Sequence, residues 1–183
     1  MKRTLLLLSS ALMLSFMVPS TSSALMQGNT VQYQYFYPNL ATNYSNAGNG
    51  NYLVGPGIEV ANLVASVGSM DISDTNLLAS FTIPSSFNSS AFNGFRITDI
   101  FGSIAAFTSV TINPITNMAG FSLANITFDA DNIWVNWQSL SFDPNTIVSL
   151  DVNGSAPVPE PSTLLLLGSG LAGLAYARKR FKS

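Results

Sequence analysis

The 183-residue sequence contains neither cysteine nor histidine. Without cysteine there can be no disulfide, so a folded domain has to be held together by its core without covalent cross-links. The two absences also exclude Ser-His-Asp and Cys-His nucleophile systems. They remove the common zinc and copper ligand sets as well. A large part of enzyme chemistry is therefore excluded.

Positive charge is scarce in most of the sequence. Between residues 25 and 158 the only basic side chain is that of Arg96, against eight acidic residues, which gives this stretch a formal charge of −7. Nucleic-acid binding draws most of its affinity from Lys and Arg that neutralise phosphates. We therefore expect no nucleic-acid partner. The other six basic residues lie near the two ends: Lys2, Arg3, Arg178, Lys179, Arg180 and Lys182.

The N-terminal residues have the pattern of a secretion signal. Lys2 and Arg3 precede an apolar run of 14 residues, 5–18, and small residues follow, with Ser22 and Ala24 at the positions that a signal peptidase reads. A helix of this length rises only ~21 Å, against ~30 Å for the hydrocarbon core of a membrane. The pattern predicts an exported protein whose signal peptide, residues 1–24, is cleaved after Ala24.

The C-terminal residues predict a short membrane helix. Pro159, Glu160 and Pro161 precede an apolar run, 162–177, and a basic cluster follows it. The prolines prevent a helix from starting earlier, so the helix has 16 residues and barely spans a bilayer. The basic cluster, Arg178, Lys179 and Arg180, is expected to stay cytoplasmic.

This order of motif, short helix and basic cluster resembles the PEP-CTERM sorting signal, a segment also named after the C-terminus of ice-binding proteins. The resemblance implies recognition by an exosortase-type membrane protease and cleavage near Pro159-Glu160-Pro161. Before processing, the protein would be held in the inner membrane by its C-terminal helix. Afterwards it would reach the cell surface or extracellular matrix. A plain membrane anchor is the alternative interpretation.

The middle of the sequence predicts strands. Tyr33, Tyr35 and Tyr37 alternate within residues 31–37, and short β-branched and aromatic runs separated by turn residues follow. Seven more strands are predicted, over residues 59–67, 75–82, 95–100, 107–112, 124–128, 133–138 and 146–152. No amphipathic helix interrupts them. The pattern favours a single all-β domain, either a sandwich or a jelly roll.

These patterns divide the chain into four parts. We expect the signal peptide, 1–24, a turn-rich region with one strand, 25–57, the β-sandwich, 58–155, and the sorting signal, 156–183. Residues 59–152 also resemble ectodomains that precede PEP-CTERM tails. That resemblance supports export and fold, and it implies no particular activity.

A possible calcium site lies at Asp129-Ala130-Asp131-Asn132. Calcium binds hard oxygen ligands, which Asp129 and Asp131 would supply from a loop between strands. The run lacks the glycine and the distal glutamate of an EF-hand loop, so a solvated turn is the alternative. No other cofactor is expected.

Trp134 and Trp137 are possible glycan contacts. Their spacing of three places them on opposite faces of a strand, so one is expected to join the core and the other to be half exposed. A half-exposed indole beside amide side chains is typical of a sugar-binding platform. The alternative is an aromatic residue partly covered by a loop or an edge strand.

Three classes of function remain. The leading hypothesis is a non-catalytic surface or matrix protein. The second is a carbohydrate-binding module of the exopolysaccharide layer, which an exposed tryptophan on a concave sheet face would favour. The third is a glycoside hydrolase that works through a pair of acids, which would require two carboxyl groups ~5–9 Å apart in a deep cleft.

Overall fold

The computed structural model describes residues 25–154 and the single residue Arg178. The expected signal peptide and the expected membrane helix over 162–177 lie outside the described residues. The described chain forms twelve strands and one turn of 3-10 helix, Leu123–Asn125. The strands are β1 (Thr30–Phe36), β2 (Gly50–Leu53), β3 (Ile58–Val60), β4 (Gly68–Ile72), β5 (Asn76–Phe81), β6 (Ser85–Ser86), β7 (Gly94–Asp99), β8 (Phe107–Ile112), β9 (Ile126–Phe128), β10 (Asn132–Asn136), β11 (Ser141–Phe142) and β12 (Ile147–Gly154).

Ten of these strands form two antiparallel sheets. The first sheet has the order β2-β1-β7-β10-β9, and the second has the order β3-β4-β5-β12-β8. The short strands β6 and β11 pair with each other. The predicted all-β domain is confirmed, and of the two architectures considered the structure is a sandwich.

The core lies between the two sheets and follows the alternation of side chains along each strand. In β1, Val31, Tyr33 and Tyr35 are buried while Gln32 and Gln34 point outward. The same alternation holds on the strands opposite. The second sheet contributes Leu77, Ala79 and Phe81 from β5 and Val148, Leu150 and Val152 from β12.

The predicted division at residue 57 differs from the structure. Residues 25–57 contain two strands, and both belong to the first sheet, because β2 pairs with β1 and β1 pairs with β7. Leu25 and Met26 are buried in the common core. The N-terminal region is therefore part of the sandwich. The local sequence does not show this, because β7, the strand that joins β1 to the rest of the first sheet, lies far along the chain.

The predicted strand over 59–67 is largely a loop. β3 ends at Val60, and Ala65 and Ser66 adopt left-handed backbone conformations with φ of 47° and 58°. The next strand, β4, was not predicted, because it begins at a glycine. Gly68 is buried, and a Cβ at this position would collide with the Ser80 carbonyl of β5. Gly68, which resembles a turn signal in the sequence, is therefore required because β4 and β5 approach too closely for a side chain.

The pairing registers define two chemically different ends of the sandwich. Val31 pairs with Asp99 at one end of the first sheet, and Phe36 pairs with Gly94 at the other. The acidic end carries seven of the eight acids of the domain: Glu59, Asp71, Asp74, Asp99, Asp129, Asp131 and Asp151. The aromatic end carries Trp137, Phe81, Phe87, Phe142, Tyr37 and Tyr44. β12 runs from the aromatic end to the acidic end, where Gly154 is its last residue.

Candidate functional sites

Trp134 lies on the outer face of the first sheet, among polar side chains. It is half-buried on β10 and directly opposite Arg96 on β7, which in turn pairs with Gln34 on β1. The Arg96 guanidinium donates a hydrogen bond to Gln34 Oε1 and lies 5.3 Å from the centroid of the Phe36 ring. This surface, called the Trp134 face below, also includes Asn132 and Asn136 of β10. It combines an indole, amides and the only base of residues 25–158.

Trp137 is fully buried and belongs to the core of the aromatic end. Its ring stacks on Phe87 at a centroid distance of 5.8 Å and lies 5.4 Å from Phe121 and 5.6 Å from Phe95. An odd spacing along an extended chain sends the two tryptophans to opposite sides of the sheet. The prediction of Trp137 as a glycan contact is therefore wrong, since its indole does not reach the surface. Only Trp134 remains a candidate.

Asp129 stabilises its own turn. The backbone N–H groups of Asp131 and Asn132 donate to Asp129 Oδ1 at 2.9 and 2.8 Å, and the Asn132 amide reaches both carboxylate oxygens. The Asn132 side-chain hydrogen bond, followed by those backbone bonds, lowers the pKa of Asp129. Among the described residues, no group of three or more acids could hold a metal ion. Calcium at Asp129 and Asp131 stays a prediction.

The other acids are mostly engaged in the same way. The buried Asp99 accepts hydrogen bonds from the backbone N–H groups of Phe101, Ser103 and Ile104. Counting Asp129, six of the eight acids accept hydrogen bonds from backbone or side-chain donors: Glu59, Asp74, Asp99, Asp129, Asp143 and Asp151. These carboxylates act as structural acceptors that hold loops to the strands.

One pair of acids interacts across neighbouring strands. Burial, and to a lesser extent the charge of Glu59, raises the pKa of Asp71. Glu59 itself accepts hydrogen bonds from the N–H groups of Gly55 and Ile72. The pair lies on β3 and β4 at the edge of the second sheet, and neither residue lines the cavity of the aromatic end. A hydrolase that works through a pair of acids stays a prediction.

A cavity of about 170 Å³ lies at the aromatic end. Its walls come from the connection between β1 and β2, the loop before β4, and the residues around β6, and they include Tyr37, Tyr44, Val67, Phe87 and Asn88. The alternation of Tyr33, Tyr35 and Tyr37 predicted a strand. It did not reveal a cavity, because the opposite wall comes from loops distant in the sequence.

The predicted sorting motif, Pro159, Glu160 and Pro161, lies outside the described residues, as do Ala24, Lys179 and Arg180. Arg178 is helical and exposed. In residues 25–154, no helix is long and apolar enough to cross a membrane. Residues 25–154 thus form an all-β module.

Comparison with known families assigns the C-terminal segment. Residues 157–180 match the model of the PEP-CTERM protein-sorting motif. The chain therefore carries the signal of proteins that are exported, transiently anchored in the membrane and processed by an exosortase, a membrane protease. The resemblance inferred from Pro159-Glu160-Pro161 is confirmed. Comparison with curated proteins and with solved structures returned no match.

Proposed function

We propose that this chain is a non-catalytic protein of the cell surface or extracellular matrix, delivered there by exosortase-type processing. The match of residues 157–180 to the sorting motif is the observation that supports processing by an exosortase. The use of carboxylates supports a non-catalytic ectodomain, because six of the eight acids already accept structural hydrogen bonds. The cavity at the aromatic end is lined by no acid.

Replacement of Glu160 by Ala tests the processing step. A plain anchor needs apolar length and flanking positive charge, and it is indifferent to one extracellular glutamate. A protease signal is read by its side chains. We expect Glu160→Ala to leave membrane insertion intact while the full-length form accumulates in the inner membrane. A fractionation blot in a host with its own exosortase measures this.

Thr163→Ala is the matched control, since Thr163 lies just beyond the Pro159-Glu160-Pro161 motif. It should be processed like the wild type. Deletion of residues 178–180 should instead disturb orientation or retention. Release of Glu160→Ala to the surface as efficiently as the wild type would show that the tail is only an anchor.

Carbohydrate binding on the Trp134 face is the second candidate function. The observation that favours it is the half-buried indole of Trp134 between Arg96 on β7 and Thr127 on β9, with Asn132 and Asn136 on the same side of its own strand. An indole offers an apolar surface to the C–H face of a sugar, and amides offer both donors and acceptors to its hydroxyls.

A glycan array probed with the exported protein tests this second function. Binding by the wild type that is lost in Trp134→Ala would support it. Phe128→Ala is the control, because Phe128 is an exposed aromatic residue on the neighbouring strand β9 but pairs with Ile133, on the other side of the sheet. Equal binding by the wild type and Trp134→Ala would remove the Trp134 face from consideration.

A further inference from the structure

We propose that the cavity at the aromatic end binds a single neutral sugar residue. This site is separate from the Trp134 face and does not require that face to bind anything. No sequence motif marks it, and it is formed only when three loops converge on the end of β1.

Aromatic rings form one side of the cavity. Tyr37 and Tyr44 meet edge to face, with their centroids 6.0 Å apart and their planes at 86°. Tyr44 also packs against the buried Tyr35 at 6.2 Å. Tyr35, Phe87 and Phe142 also contribute to the lining. Rings set at such angles present both a face and an edge to one small ligand, which suits the C–H surface of a pyranose.

A chain of hydrogen bonds holds polar groups in place beside these rings. The Tyr35 hydroxyl donates to Asn93 Oδ1 at 2.7 Å, and the Asn93 amide donates to the Asn88 carbonyl at 3.2 Å. The Asn88 amide then donates to the Tyr37 hydroxyl at 3.4 Å. Burial raises the pKa of Tyr35, so its hydroxyl remains a donor.

Three polar groups beside the rings still have donors or acceptors that this series of hydrogen bonds does not use. Within residues 25–154, no partner takes the proton of the Tyr37 hydroxyl, the Tyr44 hydroxyl is unpaired, and Asn88 Oδ1 accepts no hydrogen bond. A phenol can donate and accept, and an amide oxygen accepts two bonds. A ligand rich in hydroxyls satisfies these groups, whereas a hydrocarbon would cover them without replacing the bonds to water.

The uncharged lining and the volume of the cavity further restrict which ligands could bind. No lining residue carries an acidic or basic side chain, so a charged ligand would lose its hydration without gaining an ionic partner. The volume of about 170 Å³ is below the ~300–1,000 Å³ of pockets for drug-sized molecules. One ring of a neutral sugar meets both conditions.

The rim of the cavity contains backbone strain. Ala65 lines the cavity and Ser66 follows it, both with left-handed φ. They are held there by hydrogen bonds from the Ala65 N–H to the Asn46 carbonyl and from the Ser66 N–H to Asn62 Oδ1. Left-handed backbone conformations are strained for residues other than glycine, and such residues cluster at binding sites. The strained Ala65 is one of the residues that line the cavity.

The cavity also lies at the accessible end of the domain. The chain leaves the sandwich at Gly154, at the acidic end, and the sorting segment follows in the sequence. β12 separates the two ends by ~25 Å, since each residue of an antiparallel strand advances ~3.4 Å. The cavity therefore lies at the end of the sandwich opposite Gly154, the residue after which the sorting segment follows in the sequence.

Ligand-detected NMR and calorimetry on the full-length protein test the proposal, in a detergent that contains no sugar head group. The probes are the methyl glycosides of glucose, galactose, mannose and N-acetylglucosamine, with glucuronate as the charged comparison. We expect saturable binding of at least one neutral glycoside. Asn88→Ala and Tyr44→Ala should each weaken its affinity by about tenfold. Tyr52→Phe, which changes a residue outside the cavity, should leave it unchanged.

Three results would overturn the site. They are the absence of saturable binding for all four neutral probes, binding that Asn88→Ala and Tyr44→Ala leave unchanged, and binding of glucuronate as tight as the best neutral probe. Loss of binding in Trp134→Ala alone would move the sugar to the Trp134 face. Because Tyr44 is half-buried, Tyr44→Ala could unfold the protein; Asn88 is exposed, so Asn88→Ala then decides the question by itself.

Discussion

The acidic end and the aromatic end close the same sandwich by different means. At the acidic end, carboxylates accept N–H groups of the loops, as Asp99 does from Phe101, Ser103 and Ile104. At the aromatic end, Trp137 packs among phenylalanines. A domain with one base and no cysteine has little scope for ion pairs and none for disulfides. Its acids therefore serve as hydrogen-bond acceptors, and its rings provide apolar burial.

The difference predicts how each end contributes to stability. Aromatic side chains bury about 150–250 Å² each, which makes their packing the larger contribution to the free energy of unfolding. Hydrogen bonds to a charged acceptor contribute ~1.5–3 kcal/mol, and this contribution depends on the carboxylate staying ionised. Stability should therefore be dominated by the aromatic end and tuned by pH at the acidic end.

Trp137→Ala should give the largest loss. It removes the ring that Phe81, Phe87, Phe95 and Phe121 contact, and the cavity left behind should lower the free energy of unfolding by ~3–5 kcal/mol. Trp137→Phe should cost less, because the buried indole N–H makes no hydrogen bond within the described residues. Urea unfolding measures both. The matched control Trp134→Ala should lose less than ~1 kcal/mol, and equal losses at the two positions would contradict the comparison.

Asp99→Ala tests the acidic end. Three backbone N–H groups would lose their acceptor at a buried position, so we expect a loss of ~1–3 kcal/mol in the free energy of unfolding. Asp131→Ala is the control, because Asp131 is exposed and its carboxylate accepts no hydrogen bond from the described residues; its change should stay within ~0.5 kcal/mol. If the two variants unfold at the same urea concentration, the Asp99 carboxylate does not stabilise the loop after β7.

Asp74→Ala should have a smaller and more local effect. Asp74 Oδ1 accepts the N–H groups of Met26 and Gln27, but the Met26 N–H also donates to the Asp74 carbonyl, which the variant keeps. The expected loss is ~0.5–1 kcal/mol. Hydrogen exchange should become faster at Gln27 and remain slow in β1. Unchanged exchange at Gln27 would show that the N-terminal segment is held by the burial of Leu25 and Met26 alone.

The pH dependence should show the smallest effect, with opposite signs at two acids. The pKa of Asp129 is lowered in the folded state, so its stabilising contribution is present above the unfolded value of ~3.9 and is lost as the pH falls through the lower folded value. The pKa of Asp71 is raised, so its ionisation destabilises the fold as the pH rises past ~3.9. Melting curves should therefore show Asp71→Asn raising the melting temperature at pH 7 and Asp129→Asn lowering it. The same sign for both variants would contradict these assignments.

Much of the strand pattern could be predicted from the sequence. The predicted strand over 107–112 coincides with β8, and those near β5, β7, β10 and β12 differ from the structure by one to two residues at each end. In these segments, the alternation of apolar and polar residues and the flanking turn residues indicate the same strand bounds. β4 could not be predicted, because a glycine such as Gly68 usually indicates a turn. Its role in a strand becomes clear only from the close contact with the Ser80 carbonyl in the folded structure. β2 has four residues of mixed polarity, and only its pairing with β1 makes it a strand.

The sequence by itself determined what depends on local order and composition: the sorting signal at residues 157–180, the all-β class, and the exclusion of chemistry that needs cysteine or histidine. Only the tertiary structure decided which tryptophan is buried, which carboxylates are occupied by loops, and that Tyr44, Ala65 and Asn88 surround one cavity. A protease reads a contiguous motif, so the motif is visible in the chain. A cavity is made by residues that become neighbours only when the two sheets close, and no local pattern records which loops will meet.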